Sequence, residues 1–516
     1  MEIVQLTIKE EREYDKFKSL MQLDEAGTDD DPGPYWRTSY PWTVDKNDLV
    51  DNKAAVLGVM NSTARKLEKD PSWRSIYESQ LRDLVKRKFA REVAEDELDN
   101  WVKSGGKVYY IAHQMALNPS SKSTPVRVVF NSSQVYKGYS LNSSWDLGPD
   151  ILNNLHGILL RFRKDYVGAQ GDIAKMYYMV RVNKEEEMMQ LFLWKFHNEE
   201  KIRTFCMGRL VMGNKPSGNL SVVAVNETAT LGDNKEKYPV AYQALTKDCY
   251  VDNVLVTAPD DTEMEKYIKE VETVAATGGF YFKEWVVSKQ DIPVQTISVA
   301  LPNAIGVNEE KALGVHWDVV QDQFFIQVDV SIGSKKGVKK VPLLPYLEEV
   351  DPFLFSKKEA AEPLLFSNKE NSEASEVPLL FFKEDQNTPG TDTKVSTSPF
   401  LPLKLTIRIC LSVHAKTYDP LGLVLPTRMI GNLLFRESLQ LLKKERQGKI
   451  PWDAVIEGDL KQQWLEYFAM LLQLNCIKFP RCVKPENCDM NILPDLVTFN
   501  DGNPDAYGVV AYVSGH

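Results

Sequence analysis

The chain has 516 residues, a length that suits roughly two to four domains, and its 43% hydrophobic and 10% aromatic content can fill sizeable cores. A net charge of −10 argues against a protein that coats nucleic acid over its whole surface, so a polyanion ligand would need a local basic groove. The six cysteines (206, 249, 410, 476, 482 and 488) form no C-x-x-C pair and the six histidines form no H-x-x-x-H. That excludes the common zinc frameworks and predicts reduced thiols.

The start, "MEIVQLTIKEEREYDKFKSL", is charged and lacks an apolar signal core, and no apolar run approaches the roughly 20 residues that span a bilayer. A soluble, intracellular chain without a membrane partner is expected, cytoplasmic with nuclear access left open. Residues 1–35 are acidic and end in "GTDDDPGPYW", which predicts a flexible lead-in. Residues 52–99 read as helices, with Leu67, Trp73, Ile76, Tyr77, Leu81, Leu84 and Val85 at near-helical spacing and a basic opposite face. "KVYYIAHQMALNP" and "TPVRVVFNSS" read as strands across 107–131. A helix is expected at 149–163 with Pro149 in its first turn. A strand-like "YVGAQGDIAKMYYMVRV" follows, then a strand at 190–196, a helix at 216–231 and a strand at 250–257. Residues 260–277 form a helix with acids at its start and Gly278-Gly279 beyond its end. "FYFKEWVVS" and "ALGVHWDVVQDQFFIQV" add strands. Residues 334–400 repeat a Pro-apolar-Lys-acid theme ("DPFLFSKKE", "EPLLFSNKE", "VPLLFFKED") and read as a disordered insertion, either a degenerate duplication or a dock for a peptide partner. Helices return after 403, and the C-terminal "LVTFNDGNPDAYGVVAYVSGH" reads as strand, turn, strand.

Two apolar strands each carry a lone carboxylate: Asp172 in "GAQGDIAKMYYMV" and Asp252 in "CYVDNVLV". On spacing alone, two partly exposed strand-end aspartates are a better account of the pattern than a site. If the two meet on one sheet, they repel and raise each other's proton affinity. A divalent cation removes that penalty, and hard oxygen ligands favour Mg²⁺. Two such ions about 3.5–4 Å apart are the means by which phosphoryl transfer activates a hydroxyl and stabilises its leaving group.

The words around these aspartates narrow the choice. "YVDN" resembles the Y-x-D-D hairpin of reverse transcriptases, and "DIAKMY" resembles their other metal-binding motif. "PVRVVFNSSQVYKGYSLN" is similar to R-V-V-F-D-A-S…G-x-S-L-N, "VMGNKPSG" to M-G-D-K-P-A-G, "KALGVHWD" to L-G-x-x-W-D, and "TYDPLGLVLPT" to the Y-D-P-L-G segment. In this order the six elements resemble the polymerase polyprotein of BEL/Pao-type retrotransposons, from about residue 36 to the end and skipping 334–400. The resemblance implies an α+β, right-hand polymerase fold with an antiparallel palm sheet. Fingers would occupy 36–170 and the palm with its following β segment 171–333. A helical connection at 401–494 and a truncated RNase H-like strand pair at 495–516 would follow the insertion.

The resemblance also implies roles. Asp172 and Asp252, with Ile173, would contact two Mg²⁺ ions, Mn²⁺ substituting, and Asn253 would complete the catalytic set. Arg127 would pair with the incoming triphosphate, because a guanidinium fork suits phosphate oxygens. Tyr177 would sit under the sugar and favour deoxynucleotides. Gly213, Pro216 and Ser217 would support the nascent base pair, Lys215 would contact phosphate, and Tyr250 would pack beneath the primer end. The partners would be an RNA or DNA template-primer and deoxynucleoside triphosphates. Asp501 would be the first carboxylate of an RNase H-like domain, with no ribonuclease activity expected from this chain alone.

Three positions depart from the family: Asn253, Asn131 and Asn214 stand where Asp is common. Losing one unit charge about 4 Å from a cation is worth several kcal/mol at an effective dielectric near 20, which slows chemistry by about 10²–10⁴-fold. A weakened polymerase, a catalytically dead nucleic-acid binder and a decayed gene product all remain open on sequence grounds. Asp260 and Asp261 are expected to cap the helix after the hairpin rather than replace the missing carboxylate.

Overall fold

The computed structural model describes residues 7–25, 27–28, 31–117, 125–288, 309–328, 330–332, 341–342, 404–445, 452–484, 495–502 and 507–514. The expected insertion at 334–400 lies outside the described residues, apart from 341–342. The chain forms two compact units. One comprises Met1–Leu313, Trp317–Gln323 and Pro480–His516, and the other Gly314–His316 and Phe324–Phe479.

The first unit is built on a four-stranded antiparallel sheet in the order Cys249–Tyr250, Asn253–Ala258, Val167–Asp172, Val286–Val287. Alternation divides its faces. Val167, Ala169, Val254, Val256 and Ala258 are buried on one face. The helices Pro239–Thr246 and Asp261–Ala276 pack against this sheet and, with Ser217–Ala229, against one another. Gly171 points to the covered face, where a Cβ would come within 2.8 Å of the Trp285 ring, so only glycine lets that indole lie on the strand. Asp172, Gln170, Asn253 and Thr257 share the other face and are only half-buried.

Several local expectations are corrected. The lead-in at 1–35 is structured over much of its length. Thr7 and Glu10 form a reciprocal capping box for the helix Ile8–Ser19. Phe17 of that helix is fully buried, and Tyr14 Oη donates to Glu227 of the helix Ser217–Ala229 (2.8 Å). Met21–Asp24 then pairs with Tyr35–Thr38. Acidic composition suggested solvation, but three aromatic side chains, Tyr14, Phe17 and Trp36, supply the anchor; Trp36 Nε1 donates to Thr228 (2.8 Å). The helix expected at 149–163 is only Leu155–Arg161, because Asn154 accepts from Gly157 N–H and starts it there, leaving Pro149 outside. The strand expected to run through "YVGAQGDIAKMYYMVRV" stops at Asp172. Lys175 takes a left-handed backbone (φ 52°), Met176–Met179 is a short helix, and Arg181–Val182 pairs in parallel with Tyr35–Thr38. The strand pair Ala112–Leu117 and Val126–Asn131 matches expectation, as does the terminal hairpin Asp495–Gly502 with Tyr507–Ser514.

Arg481 ties distant parts of the first unit together. It is fully buried and pairs with Asp322 through two bonds (Nε to Oδ1 2.7 Å, Nη2 to Oδ2 2.9 Å). Its remaining N–H groups donate to the carbonyls of Phe162, Asp165 and Tyr166 (2.5–3.0 Å), and Trp317 Nε1 donates to the same Asp322 (3.0 Å). Gly168 leaves room for the guanidinium, which a Cβ would meet at 2.6 Å.

The second unit gathers the helices Ile407–His414, Leu425–Glu445 and Gly458–Gln473 around buried Trp464, Tyr467 and Phe468. The "TYDPLG" segment is a turn whose Asp419 carboxylate accepts from Leu423 and Val424 N–H (2.9 and 2.8 Å), with Gly422 at φ +72°. Among the described residues, no helix is long and apolar enough to cross a membrane.

Arg481→Ala leaves Asp322 buried and unpaired. It is expected to destabilise the chain by about 3–5 kcal/mol, read by urea unfolding followed through tryptophan fluorescence.

Candidate active site

The site starts from the hairpin register. Tyr250 pairs with Asn253, so Val251 and Asp252 form a two-residue turn. Val251 sits at φ 57°, a costly conformation for a β-branched residue, worth about 1–3 kcal/mol. Asn253 is directly opposite Asp172 across the adjoining strand pair, so both side chains leave the same face. The backbone locks the corner: Ile173 N–H donates to Asp252 O (2.8 Å) and Lys283 N–H to Asp172 O (2.8 Å). The sheet therefore brings Asp172, Asp252 and Asn253 to one end of its half-open face, although Asp172 and Asp252 lie 80 residues apart in the chain.

The electrostatics follow from this placement. Burial raises the proton affinity of Asp252 above the usual carboxylate range; the charge of Asp172 raises it further, and Lys283 opposes both. Lys283 Nζ lies 2.6 Å from Asp172 Oδ1, with side chains about half and one-third exposed. Such a partly exposed pair is worth about 0–1 kcal/mol. Asp172 Oδ1 is itself buried and accepts no hydrogen bond among the described residues, so this ammonium is the partner the structure gives it. Asn253 Nδ2 points toward Asp252 Oδ1 (3.4 Å), presenting a donor where the resemblance has a further acceptor. Two adjoining carboxylates, one with a buried oxygen that accepts no hydrogen bond, fit a divalent cation. Among the described residues, no group of three or more His, Cys, Asp or Glu is placed to hold one, so the pair would need water or ligand oxygens to complete the shell.

The other expected residues fall in three places. Tyr177 is half-buried; burial and then the Asp252 charge push its phenol up, which puts it within the field of the carboxylates. A Cβ on Gly218 would lie 3.7 Å from Tyr177 Oη, so the start of the helix Ser217–Ala229 adjoins that ring. Gly213 (φ +110°) lies against Phe130 O, which a Cβ would meet at 2.9 Å, and Asn142 Nδ2 donates to Gly213 O (3.0 Å). Pro216 and Ser217 are buried. Lys215 Nζ donates to Trp145 O (2.6 Å), so its ammonium holds the loop, and a phosphate contact would have to break that bond. Arg127 is exposed on the strand Val126–Asn131, opposite Ala116. Ile173 is fully buried beside the hairpin. Asp501 lies in the terminal hairpin opposite Gly508.

Sequence reasoning missed two features. Lys283 was passed over in "FYFKEWVVS", a run read only as a further strand, and nothing local in that run signals that it meets Asp172. Asn214 was grouped with Asn253 as a lost acid, and the structure separates them. Asn214 is buried, donates to Tyr40 Oη and Gln190 Oε1 (2.8 Å each) and accepts from Ser132 Oγ. A carboxylate could make neither donation. Asn131 accepts from Ser133 N–H (3.1 Å) in a turn. Asp260 caps the helix Asp261–Ala276 by accepting from Glu263 N–H (2.9 Å), as expected.

Residues 406–516 match the family model described as a Pao retrotransposon-like RNaseH-like domain. This bears out the resemblance to a retrotransposon polyprotein read from the sequence, and the match begins well before the expected strand pair at 495–516. No curated protein matches the chain. Among solved structures, it is similar to a foamy viral protease-reverse transcriptase in complex with double-stranded DNA, at 11% identity and a TM-score of 0.44, covering 99% of this chain and 63% of that one. It is similar also to a foamy viral protease-reverse transcriptase with an RNA/DNA hybrid, at 11% identity and a TM-score of 0.41, covering 99% of this chain and 49% of that one. The native prototype foamy virus enzyme aligns over 51% of this chain and 32% of its own, at 14% identity and a TM-score of 0.29. The chain thus spans less than two-thirds of the length of these three.

Two outcomes test the site's energetics. A carboxyl whose folded pKa is raised stabilises the fold only while protonated, and that contribution is lost as pH rises through its folded value. Asp252→Asn is therefore expected to raise the melting temperature at pH 7, with the gain shrinking as pH falls toward the ordinary carboxylate range. Asn214→Asp is expected to lower stability by about 3 kcal/mol or more at neutral pH, because it buries a charge whose two donations are gone; denaturant midpoints check this.

Proposed function

We propose that the chain is the core of a retrotransposon-derived reverse transcriptase, an RNA-directed DNA polymerase that extends a primer on a template with deoxynucleoside triphosphates. The observation that carries this reading is the register that sets Asn253 across from Asp172 with Asp252 at the adjoining turn, on the half-open face of an antiparallel sheet. In this reading the four-stranded sheet belongs to the palm, Arg127 to the fingers, and Asp172 and Asp252, with Ile173 beside them, would hold Mg²⁺ or Mn²⁺, two ions in all. The ions would supply activation of the primer hydroxyl and stabilisation of the departing pyrophosphate. The chain's own residues position the reactants. Arg127 pairs with phosphate oxygens, Tyr177 abuts the sugar, Tyr250 supports the primer end, and Gly213, Pro216 and Ser217 shape the loop beneath the template. The foamy viral proteins named above are described with double-stranded DNA and with an RNA/DNA hybrid, which is the partner class proposed here.

Activity is proposed to be low. Asn253 adds no negative charge, and its amide N–H points toward Asp252 Oδ1. The same observation favours the second reading, a chain that grips template-primer without chemistry. Primer extension on an RNA template with Mn²⁺ separates them. Asn253→Asp is expected to raise the rate by about 10²-fold or more over the natural chain. Asp172→Asn is expected to abolish extension in both backgrounds. Salt-dependent binding with no extension by either chain would sink the polymerase reading and leave the binding one.

A further inference from the structure

Lys283 has no part in the proposed chemistry, yet it is the charged group that touches it. Main chain places it there: Lys283 N–H bonds Asp172 O (2.8 Å), next to the bridge between Ile173 and Phe282. Its ammonium then reaches Asp172 Oδ1 at 2.6 Å, the buried oxygen to which no hydrogen bond is directed. With Asn253 in place of a third acid, Asp172 and Asp252 carry two negative charges and Lys283 cancels one of them. The ammonium sits on a long, half-exposed stem, so it can leave without disturbing the sheet.

We propose that Lys283 is the resident counter-ion of the Asp172–Asp252 pair, occupying the carboxylate oxygen that a divalent cation would use, so that the cation binds only as Lys283 withdraws. This rests on the reading of Asp172 and Asp252 as metal ligands. Lys283 thereby sets the threshold for metal entry before nucleotide arrives, and it does so most strongly in a chain that lacks a third carboxylate.

The test is direct Mn²⁺ binding to the full chain without nucleotide or nucleic acid, read from the electron paramagnetic resonance signal of free Mn²⁺. Lys283→Met and Lys283→Gln are expected to bind Mn²⁺ at least about tenfold more tightly than the natural chain. Lys283→Arg, which keeps the charge, is expected to bind as the natural chain does. Asp172→Asn should remove binding in every background. Unchanged or weaker affinity in both neutral variants, with Asp172→Asn still removing binding, overturns the counter-ion role and leaves the metal-ligand reading standing. No Mn²⁺ binding by any of these chains, each melting cooperatively, overturns both.

Discussion

Two carboxylates held at one end of an antiparallel sheet repel each other, and the first unit is arranged around that repulsion. Asp172 ends one strand, and Asp252 occupies the turn of the hairpin beside it. Partial burial denies Asp252 full solvation and the Asp172 charge lies beside it, so its proton affinity rises. The sheet cannot relax the pair by sliding, because a one-residue slip would send Val254, Val256 and Ala169 to the open face. It cannot open by tilting either, because Trp285 lies flat on Gly171, with its Nε1 donating to Glu272 of the covering helix (3.2 Å). The positive φ of Val251 comes with the two-residue turn that carries Asp252, and Lys283 approaches the pair because its N–H bonds Asp172 O.

The three asparagines that stand in for family aspartates show why substitution must be judged in place. Asn214 is a buried amide using both its donor and acceptor groups, and it joins Tyr40, Gln190 and Ser132 into one network. Its neighbours require an amide, so it is an altered packing solution rather than a loss. Asn131 serves a local turn. Asn253 alone faces the carboxylates, and there the amide changes the charge of the site. The same residue type thus has three physical meanings, set by what lies opposite it.

Support for the site reaches across the chain. Arg481, more than 300 residues beyond the carbonyls of Phe162, Asp165 and Tyr166, satisfies those groups and Asp322 at once. Those carbonyls lie just before the strand that ends in Asp172. A guanidinium with five donors suits such a cluster, and a lysine could not satisfy it. The segment after 480 is therefore part of what positions the central strand.

Much of the candidate site's neighbourhood was legible in the chain because it is written in local words. "YVDN" reads as a hairpin turn by resemblance and "PDDTEMEKYIKEV" as a capped helix, each governed by neighbours within four residues, whereas the strand end at Asp172 was not legible and the strand was read through it. What the chain could not disclose depends on partners distant in sequence. The aromatic anchors that order residues 8–24, the Asn154 cap that shortens the following helix, the network that claims Asn214 and the lysine that rests on Asp172 all arise from side chains meeting across tens to hundreds of residues. Periodicity records which residues turn inward; only the closed fold decides which of them touch, and charge and hydrogen bonding depend on touch.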